Sequence, residues 1–175
     1  MAYGDRPFGL RDIKVANIGF TTQVDLPAAR MMTFKERLTS GELRGDDSTL
    51  AVVAITDAVE WELENGGIPL AAWAIMTGHT AAETGTTPNA VTTYTIEAGQ
   101  NYPYFRIYGK AVGENATDDT HVLLYKCKCT GAIEGSFQDG EFWITKCSGI
   151  AVDDGTNGIA DIIQNETAED LPAPA

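Results

Sequence analysis

The sequence predicts a mainly β protein, an antiparallel β-sandwich or barrel with one flanking α-helix. Three observations lead to this prediction. Apolar and polar residues alternate over several segments, and a period of two is typical of half-buried strands. Turn residues, above all the 18 glycines, separate these segments. A single short segment has the composition and end signals of a helix. Many strands with one helix favour two packed β layers.

Before residue 50 the sequence predicts two strands and a loop. LRDIKVANIGFTTQVDL (10–26) has the extended pattern of a first strand. Segment 28–40 also favours a strand because it alternates and contains threonine, although its period alone leaves a helix open. GELRGDDST (41–49) combines glycines with polar residues and has no hydrophobic repeat, so we expect an exposed loop there.

The next segment, LAVVAITDAVEWELEN (50–65), predicts a strand of unusual length. About 15 residues at ~3.3 Å each would span ~50 Å, whereas strands usually stop near ~5–6 residues. Its second half alternates between apolar side chains on one face and carboxylates on the other: Val59, Trp61 and Leu63 against Glu60, Glu62 and Glu64. Three like charges along one face repel each other, so this face needs a functional reason.

The remainder of the chain predicts one helix and four more strands. IPLAAWAIMTG (68–78) has Pro69 in its first turn and Gly78 at its C-terminal cap, which indicates a short helix. A loop of small residues follows at 79–90, and strands are predicted at residues 91–98, 104–113, 120–137 and 140–152. We therefore expect residues 1–163 to form one β-sandwich domain with an N-terminal arm. Residues 164–175, which are acidic and contain proline, are expected to form a flexible tail.

The charge balance excludes several classes of partner. Twelve Lys and Arg residues stand against 25 Asp and Glu residues, a formal net charge of −13, and this argues against ordinary nucleic-acid binding and against anionic membranes. No apolar run approaches the ~20 residues that span a bilayer. The opening residues MAYGDRPFGLRD lack the pattern of a secretory signal, so we expect synthesis in the cytoplasm and no membrane partner.

No constellation of residues points to catalysis. The sequence has no G-x-S-x-G, P-loop or dinucleotide fingerprint, so we expect neither an enzyme nor a bound cofactor or metal. Cys127, Cys129 and Cys147 form an odd, sparse set, which favours small core residues over a disulfide framework. The two histidines are not at metal-ligand spacing from them and are interpreted as structural.

The order of these segments resembles the major tail proteins, or tail tube proteins, of long-tailed (siphovirus-type) bacteriophages. Residues 41–78 carry the resemblance, since a loop, a long strand, a glycine pair and a Leu/Ala-rich helix follow one another there. The loop at 79–90 extends it. Residues 41–78 amount to about a fifth of the chain.

The resemblance implies a structural virion protein. Six copies would join their sheets into a ring, and stacked rings would form the tail tube through which DNA is ejected. The implied partners are further copies of the chain, the tail tip or initiator and tail terminator proteins, and a tape measure protein in the lumen. Genomic DNA would pass without specific binding. The implied location is the virion tail, assembled in the host cytoplasm.

The resemblance also implies roles for two groups of residues. Glu60, Glu62 and Glu64 would face the lumen, where like charges keep the DNA phosphates off the wall. A solvated face remains an alternative, as does pairing across a ring joint with Lys126, Lys128, Lys35 or Arg37. The 41–49 loop would reach toward the adjacent ring, and its candidate contact residues are Glu42, Arg44, Asp46 and Asp47.

Other classes of function remain open at this point. A monomeric β-sandwich binding module, such as a carbohydrate-binding or capsid decoration protein, would expose an aromatic patch and have short strands. The tube proteins of contractile injection systems share the tail-tube fold, so the fold does not separate them from long-tailed phages. Self-assembly discriminates the tube proteins from a binding module or an enzyme.

Overall fold

The computed structural model describes residues 7–46, 48–67, 69–114, 117–136 and 138–174. Within these residues every strand pair is antiparallel and a single helix is present, which confirms the predicted fold class. The elements in chain order are β1 (Pro7–Asn17), β2 (Gln23–Asp25), β3 (Ala29–Gly45), β4 (Ser48–Gly66), α1 (Leu70–Thr77), β5 (Thr80–Thr84), β6 (Val91–Thr95), β7 (Phe105–Gly113), β8 (Asp119–Cys129), β9 (Ile144–Ala151) and β10 (Ala160–Asn165).

Eight of the described strands form one sheet. Its order is β2-β1-β7-β8-β9-β4-β3, and β10 pairs with β8 outside this path. Strand β8 pairs with β7 along most of its length. Its other edge is shared, because β10 pairs with residues 119–124 and β9 with residues 127–129. The long β3 and β4 strands thus lie at one end of the sheet, with β3 as the edge strand.

The sheet folds back on itself to enclose the core. Trp61 of β4 and Phe105 of β7 are separated by two strands in the sheet order, yet their ring centroids are 5.7 Å apart in an edge-to-face contact. A Cβ atom at Gly109 of β7 would lie 2.6 Å from the sulfur of Met32 on β3, so the Met32 side chain packs directly against the β7 backbone at this glycine. Two β layers therefore face each other across a buried apolar interior.

Helix α1 confirms the short helix predicted after the glycine pair. Gly78 adopts a left-handed conformation, with φ of 76°, and its N–H donates to Ala74 O at 2.9 Å as a C-terminal cap. The buried residues of the helix are Ala72, Met76 and Thr77. Met76 and Ala72 pack into the same core as Trp61, so the helix covers one flank of the sandwich.

Several predicted boundaries are wrong. The expected loop at 41–49 is strand except at its turn, since β3 continues to Gly45 and β4 begins at Ser48. The expected loop at 79–90 contains β5, which pairs with β6 in a separate two-stranded sheet. The strand predicted at 120–137 ends at Cys129. These errors share a cause, because pairing between strands is a tertiary property that local composition does not report.

The C-terminal residues also differ from the prediction of a tail with little structure. Strand β10 pairs with β8 up to Asn165, and residues 166–174 run back over the sheet without regular secondary structure. Leu171 is 3 % exposed and packs in a small second cluster with Tyr108, Leu123 and Tyr125, on the side of β7 and β8 that faces away from the main core. We call residues 160–174 the C-terminal strap.

Candidate functional site

The glutamate stripe on β4 is formed as the alternation predicts. Val59, Trp61 and Leu63 are buried in the core, and the carboxylates project from the opposite face of the same strand. Glu60 and Glu62 are exposed. Glu64 is half-buried, and its oxygens lie 3.3 Å from Lys146 Nζ and 3.7 Å from an Arg30 guanidinium nitrogen.

The strands beside β4 place cations among these carboxylates. Residues opposite each other in an antiparallel pair share a face, and Glu60 lies opposite Lys35 on β3 and opposite Ile150 on β9. Ile150 in turn lies opposite Lys128 on β8. One row across four strands therefore reads lysine, glutamate, isoleucine, lysine. The surface is a carboxylate stripe with basic borders, and we call it the glutamate face.

A shallow depression of about 380 Å³ lies in the glutamate face. Its lining includes Lys35, Glu60, Glu62 and Ser148. The depression is wide, and the two carboxylates that line it belong to strand β4.

The four cations considered as partners of the glutamates have different surroundings. Lys35 lies directly opposite Glu60 within the same chain. Arg37 is hydrogen-bonded to the Asp57 carboxylate at 2.9 Å, and this contact holds the pKa of Asp57 below its usual value. Lys126 and Lys128 lie over the Tyr104 ring, with ammonium nitrogens 5.2 and 5.1 Å from its centroid. Lys35 therefore differs from the other three cations in lying directly opposite a glutamate of the stripe in the same chain.

The predicted inter-ring residues lie near the tip of a β-hairpin and not in a loop. Glu42 and Arg44 both belong to β3, and their carboxylate and guanidinium groups are 3.0 Å apart. Asp46 occupies the turn with a positive φ of 44°. Asp47 lies outside the described residues. The tip is therefore charged and exposed, as expected, although its backbone is paired almost to the end.

The hairpin extends beyond the body of the sandwich as an arm. We define the arm as residues 38–56, which lie beyond the point where an extra residue, Asp57, forms a bulge in β4. From Leu38 to Gly45 the arm extends about 23 Å at ~3.3 Å per residue. All of its residues with a described burial are exposed, so the body of the chain covers neither face of the ribbon.

The arm exposes large apolar side chains on both faces. Its large apolar side chains are 56 to 64 % exposed, and they are Leu38, Leu43, Leu50, Val52, Val53 and Ile55. The face that continues the glutamate face holds Leu43, Ala51, Val53 and Ile55, and we call it the outer face. The inner face, which continues the core side, holds Leu38, Ser40 and Glu42 opposite Thr56, Ala54 and Val52.

Sequence reasoning missed this surface although a signal was present. The run LAVVAI (50–55) is apolar at every position, whereas a strand with one wet face alternates. A continuous apolar run indicates that both faces of a strand are covered. In this chain both faces of the run are uncovered, so the run marks an exposed apolar surface.

A second missed feature is a buried polar cluster beneath the C-terminal strap. Asp119 is fully buried at the start of β8, and its carboxylate lies 2.8 Å from Lys110 Nζ and 3.3 Å from His121 Nε2. The same carboxylate accepts hydrogen bonds from Asn165 Nδ2 at 2.7 Å and from the Glu169 backbone N–H at 2.8 Å. Asp119 therefore ties the strap to the sheet.

The hydrogen bonds decide the charge state of Asp119. Burial alone raises the pKa of this carboxyl group, but donation from Lys110, Asn165 and the Glu169 amide outweighs burial and lowers the pKa to about 2. The carboxylate is consequently ionised at neutral pH, as its set of donors requires.

The cysteines lie in the core, where the sequence places them. Cys127, Cys129 and Cys147 are free and buried, and burial raises the pKa of each thiol, that of Cys147 to about 12. Such thiols are poor nucleophiles at neutral pH. The described part of the chain contains no group of three or more His, Cys, Asp and Glu side chains placed to hold a metal ion.

Comparison with known proteins leaves the family of this chain open. No family model matches the sequence, and no curated protein matches it either. Among the described residues, no helix has both the length and the apolar character that crossing a bilayer requires.

Proposed function

We propose that the chain is a self-assembling structural subunit that forms rings and stacked tubes, as the tail tube proteins of long-tailed phages do. The observation that carries this proposal is the arm, an apolar two-stranded ribbon that the rest of the chain leaves uncovered. Isolated two-stranded ribbons are marginally stable in water. An arm of this length therefore gains its stability from packing against another copy.

The composition of the arm supports a permanent partner more than a transient one. Monomeric proteins rarely expose contiguous apolar patches above a few hundred Å², and exposed strand edges invite pairing with other chains. The arm has no proline, and its charged residues are confined to positions 42–47 near the tip. A monomer with this surface is expected to aggregate, whereas in an ordered assembly the same surface is an interface.

The glutamate face fits the wall of a conduit. Glu60 and Glu62 are exposed on one face of a rigid sheet, and the chain carries a net charge of −13. Duplex DNA carries one negative charge per ~1.7 Å, so a carboxylate-lined wall repels it and leaves a layer of water and counterions about one Debye length, ~8 Å, thick. The tip, terminator and tape measure proteins implied by the tail-tube likeness are the partners we propose for the assembled tube.

Electron microscopy of the purified chain tests the proposal. A concentration series is examined by negative stain, and light scattering gives the mass in solution. We expect six-fold rings or hollow tubes above a threshold concentration. A chain that stays strictly monomeric at millimolar concentration would contradict self-assembly without an initiator protein. That result would favour the monomeric binding module.

The charge of the glutamate face leads to a separate prediction. In the double variant Glu60→Lys and Glu62→Lys the subunits are expected to assemble, but the assembled tubes should bind short duplex DNA that the parent tubes exclude. Co-sedimentation of labelled duplex with tubes at rising salt measures this, and binding should fall steeply between 50 and 200 mM salt, roughly the range over which phosphate contacts are screened.

The matched control places the same charges elsewhere. Glu83 on β5 and Glu97 after β6 are exposed, and they lie in or beside the two-stranded sheet, which is separate from the sheet that carries the glutamate face. If lysines at these two positions bind DNA, they should bind it on the outside of the tube. Nuclease should then degrade the bound duplex. Equal, nuclease-sensitive binding by both double variants would show that the glutamates do not line an enclosed lumen.

A further inference from the structure

The apolar core is open at one end, where β3 and β4 leave the sandwich as the arm. A cavity of about 450 Å³ lies there, and we call it the mouth. Its mostly apolar walls include Leu10, Met32, Phe34, Ala111, Val122 and Ile162. Ile162 is 62 % exposed and Phe34 is 42 % exposed. A cavity of this size and composition is typical of a site that receives an apolar group.

The described lining of the mouth presents no unpaired charged side chain to a bound group. Among the described residues that line it, the one charged side chain is that of Lys110, whose ammonium group is paired with the buried Asp119 carboxylate at 2.8 Å. The outer face of the arm is likewise uncharged between Thr39 and Leu43 on β3 and between Ala51 and Ile55 on β4. Because each copy carries a net charge of −13, copies approach most easily where both surfaces are uncharged and apolar.

The outer face cannot reach the mouth of its own chain. The mouth opens on the core side of β3, which is the side of Met32 and Phe34 and of the inner face of the arm. The outer face lies on the opposite side of the same ribbon and points away. We propose that the outer face of one copy's arm packs into the mouth of a second copy. This inference rests on the proposed function and names the two surfaces that meet.

The area of the contact favours a repeating array over a dimer. A ribbon about 23 Å long and two strands, ~10 Å, wide presents roughly 230 Å² of one face. A specific interface buries about 800 Å² on each partner, so a single arm contact does not hold two copies together. Arm and mouth are different surfaces, and every copy can both insert and receive an arm. Such a heterologous contact closes into a ring or continues as a filament.

Cysteine cross-linking tests the pairing in the assembled protein. Copies with Val53→Cys on the outer face are mixed with copies carrying Ile162→Cys in the mouth, assembled and oxidised mildly, and the linked peptides are identified by mass spectrometry. Both positions are exposed, so the variants are expected to fold. The native cysteines are buried and should stay out of the reaction. We expect a disulfide between positions 53 and 162 of different copies.

The neighbouring residue on the same strand provides the control. Val52 is 62 % exposed but belongs to the inner face, so Val52→Cys should link to Ile162→Cys at least tenfold less. Assemblies in which position 52 links as well as position 53, or in which neither links, would overturn the proposed pairing and leave self-assembly standing. The absence of assemblies in every mixture and in the parent chain would overturn both proposals.

Discussion

The substitution Val53→Glu is expected to abolish self-association at concentrations that assemble the parent chain, while the subunit remains folded. Val53 lies in the middle of the outer face and is 56 % exposed, so a carboxylate there is solvated in the free subunit. In an apolar contact the same carboxylate loses its water and finds no cation, which costs several kcal/mol. A loss of roughly 3 kcal/mol per contact raises the concentration needed for assembly by about 100-fold.

Sedimentation velocity over a concentration series measures this shift, and circular dichroism verifies the fold. Ile96→Glu is the matched control, because Ile96 is 78 % exposed and lies outside the arm, after β6. Both variants replace an exposed apolar side chain by glutamate and change the net charge equally. If both assemble at the parent's concentration, the arm is not an interface; if both fail equally, general charge repulsion explains the result.

The substitution Asp119→Asn is expected to lower the free energy of unfolding by about 3 kcal/mol, the lower end of the cost of breaking a buried ion pair. The partners of the Asp119 carboxylate are hydrogen-bond donors from Lys110, Asn165 and the Glu169 amide. An asparagine amide group would point a fourth donor at them and would leave the ammonium group of Lys110 without a counter-charge. For a chain of this length the melting temperature should fall by roughly 6–12 °C.

The strap should loosen before the rest of the sheet. Hydrogen exchange of β10 should accelerate in the Asp119→Asn variant more than exchange of residues 59–63 in β4, since Asp119 holds the strap through two direct bonds. Asp161→Asn is the control. Asp161 is exposed and accepts a hydrogen bond from the Tyr125 hydroxyl, which an asparagine carbonyl can also accept, so a change below about 1 kcal/mol is expected. Equal losses of unfolding free energy in the Asp119→Asn and Asp161→Asn variants would show that Asp119 does not anchor the strap.

The free energy of unfolding at low pH should depend on the Asp119 carboxylate. The pKa of Asp119 in the folded state is about 2, below its ordinary value of 3.8. A depressed carboxyl pKa stabilises the fold at every pH above the unfolded value, and this contribution is lost as pH falls through the folded value. The difference corresponds to roughly 2 kcal/mol between neutral pH and pH below 2. In the Asp119→Asn variant the loss of stability between pH 4 and pH 2 should be smaller by most of that amount.

Local patterns predicted part of the fold because their physical causes are local. The alternation from Val59 to Glu64 follows from the two-sided geometry of a strand, and the structure buries the apolar set and leaves Glu60 and Glu62 of the other set exposed. The end of α1 at Gly78 follows from the left-handed conformation that glycine adopts without strain. In both cases the residues that decide the outcome lie within a few positions of each other.

The arm and the strap could not be predicted in the same way. Segment 41–49 has the composition of a loop, yet the register between Gly41 and Val53 places it in a hairpin, because the partner strand supplies its hydrogen bonds. Asp119 is one acid among 25 in the sequence. Its burial depends on Lys110, Asn165 and Glu169, which meet only after β7, β8 and β10 have paired.

The sequence by itself determined the β class, the position of the helix and the separation of carboxylates from core residues on β4, since side-chain period and backbone preference are properties of neighbouring residues. Only the tertiary structure decided which surfaces remain uncovered. Whether an apolar run such as residues 50–55 is buried or exposed depends on which strands pack against it, and packing joins residues that are far apart in the chain. The apolar arm, the open mouth and the anchored strap are all consequences of that packing.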